Sequence, residues 1–229
     1  MFWSEDKKPD PIKKSDTVVD ATVKLSCKEI PIDHAYELSV ELQKILPWLT
    51  EDQRIAVHQI YIPASGNGWQ RPEADPDAKM RLSRRTRLKI RLPIDYLNKL
   101  NDISGQQIQI SGESMTFGEV TSNSLPVSST LVSRFVYIND TNENEDDFLH
   151  KAYAELTGRG LKISKMLCGK SVHLKYQRQT LLTRSLMIAE ITPEDSIAIQ
   201  ESGIGENNLM GCGIFIPQKG IKAVNDTDE

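Results

Sequence analysis

Cysteine is scarce. Cys27, Cys168 and Cys212 are the only three in 229 residues, they lie far apart, and no C-x-x-C pair or neighbouring His stands at a metal-ligand spacing. Odd in number and scattered, they read as small apolar residues in a reducing compartment, and a zinc site has no support. Long apolar runs are missing too. Nothing approaches the roughly 18 consecutive apolar residues of a membrane span, and Met1-Phe2-Trp3-Ser4-Glu5-Asp6-Lys7-Lys8 lacks the apolar segment of a signal peptide. The chain is therefore expected in the cytoplasm, off the membrane. Neither a Gly-Lys-Ser/Thr phosphate loop nor a dinucleotide fingerprint is present, so no cofactor is expected, and no metal.

An excess of positive charge is also lacking: 28 Lys and Arg face 32 Asp and Glu, a net charge of −4. On totals alone this argues against a nucleic-acid binder. The distribution reverses that impression. Lys79, Arg81, Arg84, Arg85, Arg87, Lys89 and Arg91 fall in one stretch without a carboxylate, and Arg159, Lys162, Lys165, Lys170, Lys175, Arg178 and Arg184 in another, while acids gather in Asp140 to Asp147 and at the C-terminus. Half of the 28 cations thus occupy two acid-free segments. Such segregation makes basic faces suited to a polyanion; the alternative for each stretch is an ordinary solvated face. Aromatic content is only 6%, which argues against a row of stacking rings as the main binding mode.

With 38% hydrophobic and 26% charged residues a packed core can form. Residues 1–16, rich in Lys, Asp and Pro, read as a flexible lead-in. Thr17 to Cys27 reads as a strand. Asp33 is a plausible N-cap for a helix carrying Leu38, Leu42, Ile45, Leu46 and Leu49, interrupted at Pro47. A strand over Arg54 to Ile62, a loop over 65–76, a strand over Ser83 to Leu92, a short helix from Ile94 to Asn101 and a closing hairpin, Gln106 to Ile110 and Met115 to Val120, complete a unit over 17–121. After a polar linker at 122–128 the same order recurs over 129–221: strand Leu131 to Ile138, helix Asp146 to Thr157, strands Ile163 to Cys168, Ser171 to Tyr176 and Leu181 to Ile191, helix Pro193 to Glu201, and strand Gly213 to Ile216. Residues 222–229 are an acidic tail. Strand, helix, strand, strand, helix, strand, twice over, predicts an α+β fold of two tandem ferredoxin-like (RRM-like) domains.

Between the last helix and last strand lie Gly203, Gly205, Gly211 and Gly213. Glycines at these spacings let backbone approach another chain closely, and exposed amides there could contact phosphate. With its surroundings this loop resembles the glycine-rich loop of the CRISPR-associated RNA-binding superfamily. Within it, the sequence resembles the Cas-six family of repeat-cutting endoribonucleases and its MYXAN subtype. The resemblance is carried by Pro31-Ile32-Asp33-His34, Leu46-Pro47-Trp48-Leu49, Leu82-Ser83-Arg84-Arg85-Thr86-Arg87-Leu88 and Gly211-Cys212-Gly213-Ile214-Phe215-Ile216-Pro217.

The resemblance implies an enzyme that cuts CRISPR repeat RNA, a precursor with a hairpin, into guide RNAs without a metal. A ribose 2′-hydroxyl attacks the adjacent phosphorus, leaving a 2′,3′-cyclic phosphate and a 5′-hydroxyl; the partners are the repeat RNA and other subunits of an effector complex, and retention on the product stays open. That reaction needs a base, donors to the phosphoryl oxygens, and in-line geometry. Histidine suits the base role, with an ordinary pKa of about 6.5. The family commonly carries its catalytic His in or beside the first helix, which makes His34 the first candidate; His58 is the reserve, and Tyr36 and Ser83 are candidate helpers for the 2′-hydroxyl. His150 falls on the polar side of its helix. Candidate RNA contacts are Arg81, Arg84, Arg85, Arg87, Lys165, Lys170, His173, Lys175 and Arg178, with Gly203, Gly205, Gly211 and Gly213. Two other readings stay open: an RNA-holding subunit without catalysis, and a ferredoxin-like protein-interaction module.

Overall fold

The computed structural model describes residues 15, 17–61, 78–138 and 144–218. The lead-in apart from Ser15, the loop at 65–76 and the tail at 222–229 lie outside the described residues. Among those described, no helix is long and apolar enough to cross a membrane.

β1 (Val18–Ser26) alternates inward apolar residues, Val19, Ala21, Val23 and Leu25, with outward polar ones, as a sheet with one covered face requires. β2 (Glu29–Pro31) pairs with β4 (Lys79–Arg81) as a small separate ribbon. α1 (Ala35–Ile45) follows, and its Leu38 and Leu42 pack on the sheet. Its N-cap is His34, not Asp33: the Asp33 carboxylate is turned away and accepts the Lys175 backbone N–H at 2.9 Å. The strand expected over Arg54 to Ile62 is regular only at β3 (Ala56–Val57). β5 (Arg87–Pro93), the four-residue α2 (Leu97–Leu100), β6 (Gln107–Ile110) and β7 (Glu113–Ser124) complete the first sheet, in the order β3-β5-β1-β7-β6. Paired strand in β7 therefore continues into the stretch expected as linker, because Val19 to Val23 of β1 hold Ser124 to Val120 in register.

The second sheet is built from β8 (Thr130–Val136), β9 (Lys165–Tyr176), β10 (Gln179–Ala189) and β11 (Ile216–Pro217), in the order β11-β8-β10-β9. α3 (Glu145–Gly158) and α4 (Pro193–Ser202) cover one face with Phe148, Ala152, Leu156 and Ile199. Both helices start on side-chain caps: Asn144 accepts the Asp146 and Asp147 N–H groups at 2.9 and 3.3 Å, and Thr192 accepts that of Asp195 at 3.1 Å. Each sheet is antiparallel; the second places its first strand between its third and fourth, and the first places β1 between β5 and the last strand of the closing hairpin, β7, the split βαβ arrangement. The protein is thus α+β with two tandem ferredoxin-like domains.

The two strands expected at Ile163 to Cys168 and Ser171 to Tyr176 are one strand, β9, carrying a bulge. Cys168 pairs with Leu186 but Ser171 pairs with Arg184, one residue too many on β9. Gly169 sits in that bulge, where a Cβ would come 2.2 Å from the Ser185 hydroxyl. The extra residue swaps the faces. Met166 and Cys168 pack under the helices, whereas Val172, Leu174 and Tyr176 pack in clusters that include Tyr61, Ala35 and Tyr36 of the first domain.

Candidate functional site

The helix-free face of the first sheet carries the residues that alternate away from its core. In register, Asp20 lies opposite Arg91, Thr22 opposite Lys89 and Lys24 opposite Arg87, while the His58 N–H donates to the Lys89 carbonyl at 3.0 Å. At the inner end Arg91, only 2% exposed, donates to both Asp20 oxygens at 2.8 and 3.1 Å and to the Gln200 and Phe215 carbonyls of the second domain at 2.9 and 2.8 Å. This cation of the first basic stretch is a structural tie and is closed to RNA. His58 Nε2 lies 3.6 Å from Asp20 Oδ1, beyond hydrogen-bond length. Burial lowers the His58 pKa despite the attraction of Asp20, so its ring is neutral at pH 7. Burial would raise the Asp20 carboxyl, but the Arg91 guanidinium, bonded to both its oxygens, outweighs it and holds it well below the usual carboxylate range.

His34 has a different environment. It is 2% exposed, its Nδ1 lies 3.0 Å from the Pro31 carbonyl and 3.1 Å from that of Ile32, and its Nε2 accepts the Ile60 N–H at 3.0 Å. Nδ1 therefore carries the proton, and the lone pair a base would use is already occupied by backbone. Sequence reasoning placed His34 correctly at the helix start; what it could not see is that β3 and the residues after it come close enough to claim the ring.

Tyr36 lies edge-on to Tyr176, centroids 5.4 Å apart, and lines a cleft of about 430 Å³ with Asp33, Glu37, Lys79, Ser111 and Lys175. One residue from each basic stretch, Lys79 and Lys175, meets there. Ser83 is turned into its own loop, where its hydroxyl accepts the Arg85 N–H at 3.2 Å and its N–H donates to Thr86 Oγ1 at 3.1 Å. Arg81, Arg84 and Arg85 are exposed around the turn between β4 and β5, and Arg87 donates to the Arg84 and Thr86 carbonyls at 2.9 and 2.8 Å. Lys170, His173, Lys175 and Arg178 are exposed along β9 and its hairpin tip. Lys165 pairs with Glu190 and Arg159 with Glu155, so part of the second stretch is neutralised locally.

The glycines divide. Gly205 is exposed and Gly203 half-buried, but Gly211 and Gly213 are buried. A Cβ on Gly211 would come 2.8 Å from the Gln59 side chain, and one on Gly213 2.0 Å from the Ile204 carbonyl. Both have positive φ, +83° and +69°, so a side chain there is excluded twice over. The loop is pinned to the first domain by Gln59, donating to the Met210 carbonyl at 3.0 Å, and by Asn208, donating to those of Gln53 and Ile55 at 2.9 and 2.5 Å. Gly211 thus closes on the first domain, whereas Gly213, Gly203 and Gly205 close on backbone of their own domain. Among the described residues, no three His, Cys, Asp or Glu side chains group as a metal site would require.

Two ferredoxin-like sheets locked through a glycine-rich seam, with cations on exposed strand faces, define a tandem ferredoxin-like protein with basic surfaces. The sequence profile of the Cas6 Crispr family matches residues 19–220, and the chain belongs to that family. It is 24% identical over 188 residues to a CRISPR-associated endonuclease Cas6 of Myxococcus xanthus (strain DK1622), covering 82% of this chain and 76% of that one. Among solved structures, it resembles a CRISPR associated protein Cas6 with a TM-score of 0.58 at 9% identity, covering 88% of this chain and 100% of the other. It also resembles a RAMP protein described as binding different RNA substrates, with a TM-score of 0.59 at 14% identity and the same coverage, 88% and 100%. These likenesses bear on the fold.

Proposed function

We propose that this chain is an endoribonuclease that binds CRISPR repeat RNA, a hairpin precursor, and cuts it without a metal ion, leaving a 2′,3′-cyclic phosphate and a 5′-hydroxyl. The observation that carries the reading is membership of the Cas6 family over residues 19–220, together with a curated relative that is an endonuclease. The exposed cations at Arg81, Arg84, Arg85, Lys170 and Arg178 support an RNA partner. Retention of the product within an effector complex is part of the same proposal.

For the base we favour His58 over His34. A neutral imidazole is needed to take the 2′-hydroxyl proton. His58 is kept neutral by burial and lies on a face with Lys89, whereas both ring nitrogens of His34 are engaged by backbone. His34 then acts as a positioning residue that fixes the start of α1 to the chain after β3. The deciding experiment incubates the protein with the repeat RNA encoded beside its gene, in EDTA, and analyses the ends. Cleavage with cyclic-phosphate termini is expected; a strict Mg²⁺ requirement would overturn the mechanism, and binding without cleavage would favour the non-catalytic RNA-holding reading.

A further inference from the structure

The open part of the first sheet's helix-free face holds a cluster of cations that its own fold does not neutralise. Lys24 on β1 and Arg87 on β5 are direct cross-strand partners, and Lys89 lies two residues along β5, on the same face, opposite Thr22. Direct partners bring Cβ atoms to about 5 Å, and like charges so placed repel. Lys24 and Lys89 are exposed, and among the described residues neither makes an ion pair. Asp20, the carboxylate of β1 on this face, is held by Arg91. Glu119 on the neighbouring β7 is exposed and also makes no ion pair with Lys24 among the described residues. Burying such a face under protein would desolvate Lys24 and Lys89 without an ion-pair partner, beside an Arg87 that, among the described residues, is held by backbone carbonyls alone, so an anionic occupant is the arrangement that lowers the free energy.

The occupant must be extended and polyanionic. The face is a pleated surface with cations on two adjacent strands, and beside them stand Thr22 and Thr121, paired across β1 and β7. Their hydroxyls can meet a ribose 2′-hydroxyl, the group that distinguishes RNA from DNA. None of Thr22, Lys24, Arg87, Lys89 and Thr121 is aromatic, so bases are not stacked here and the protein meets the sugar-phosphate backbone. We infer that Lys24, Arg87 and Lys89 form a track for a single-stranded segment of the RNA, running along the helix-free face of the first sheet toward His58. The inference rests on the RNA reading above and adds to it a surface that includes Lys24, which lies outside both basic stretches.

The test is a filter-binding titration of the full chain at several salt concentrations, with the repeat RNA and with an oligouridine of the same length. The variants are Lys24→Ala/Lys89→Ala and the charge-keeping Lys24→Arg/Lys89→Arg, with thermal melting as the folding control. Each phosphate of a single strand that the protein no longer neutralises flattens the salt slope by about 0.7, so the Ala pair should lower it by about 1.4 for both RNAs and weaken binding roughly tenfold, while the Arg pair binds as wild type. Wild-type affinity and slope in a folded Ala pair would overturn the track and leave the RNA reading standing; a wild-type protein that binds no repeat RNA would overturn both. Displacement of RNA by polyglutamate as effective as displacement by oligouridine would point to an acidic protein segment and also overturn it.

Discussion

His34, at a helix start, and His58, just after a strand, differ in what reaches their rings. His34 is held by three backbone groups, the Pro31 and Ile32 carbonyls and the Ile60 N–H. Removing the ring leaves these groups buried and unpaired, at a cost of about 1–3 kcal/mol each where water cannot replace it. His58 touches fewer partners, and its Nε2 has none within hydrogen-bond distance. We therefore expect His58→Ala to lower the single-turnover cleavage rate by about 100-fold or more while leaving RNA affinity near wild type, the usual effect of losing a general base. His34→Ala should instead lower the melting temperature and reduce cleavage in proportion to the folded protein remaining. Full activity in His58→Ala would return the assignment to His34 or to another group. The pH profile provides a second check. With its pKa lowered by burial, His58 stays in the basic form down to below the ordinary imidazole value of about 6.5, so cleavage should hold constant from about pH 8 to 6.5 before falling.

Among the elements, the turn between β4 and β5 is the clearest exposed basic feature. Arg84 and Arg85 are both exposed and form no ion pair among the described residues, and the turn itself is held by Ser83, Thr86 and the Arg87 guanidinium. Replacing Arg84 and Arg85 by Ala should consequently leave the fold intact, since exposed substitutions of this kind shift stability by about 0.5 kcal/mol or less. RNA affinity should fall and the salt slope flatten, as counterions no longer released at two phosphates cease to contribute. Titrations over a range of salt would show an unchanged slope if this turn only meets water. β9 illustrates the other outcome: its bulge at Gly169 turns Val172, Leu174 and Tyr176 toward the first domain and leaves His173 and Lys175 exposed.

At the scale of the whole molecule, Arg91 is the centre of the domain seam. Its guanidinium joins β1 through Asp20, the end of α4 through Gln200, and the approach to β11 through Phe215. Removing one partner of a buried pair leaves an uncompensated charge, so Asp20→Ala should destabilise the protein by about 3–5 kcal/mol at pH 7. The folded Asp20 carboxyl is held below its unfolded value, so its contribution is complete above the unfolded pKa of about 3.9 and is lost as pH falls through the folded one. Denaturant melts of wild type and variant should thus differ most at neutral pH, begin to approach one another below about pH 4, and converge only as the pH passes the lower, folded value. A difference that persists undiminished in strong acid would mean the pair contributes packing and not charge.

What the sequence determined by itself was the part encoded in local pattern. The alternation Val19, Ala21, Val23, Leu25 and the helical spacing of Leu38 and Leu42 give strand and helix wherever they occur, because side chains repeat every two residues in one and every 3.6 in the other. The doubled element order therefore led to the tandem ferredoxin-like fold, and the family resemblance to Cas6. Only the tertiary structure decided what each polar residue faces. Arg91 and Lys89 are two positions apart on one strand and read alike as cations, yet one is buried against Asp20 and the other exposed. Gly211 and Gly213 read alike as glycines of one loop, yet Gly211 closes on Gln59 of the first domain and Gly213 on the Ile204 carbonyl of its own. His34 read as a base, and its lone pair is taken by an amide 26 residues away. The physical reason is common to all three: periodicity records which face a side chain is on, while the partner on that face comes from strands and loops distant in sequence.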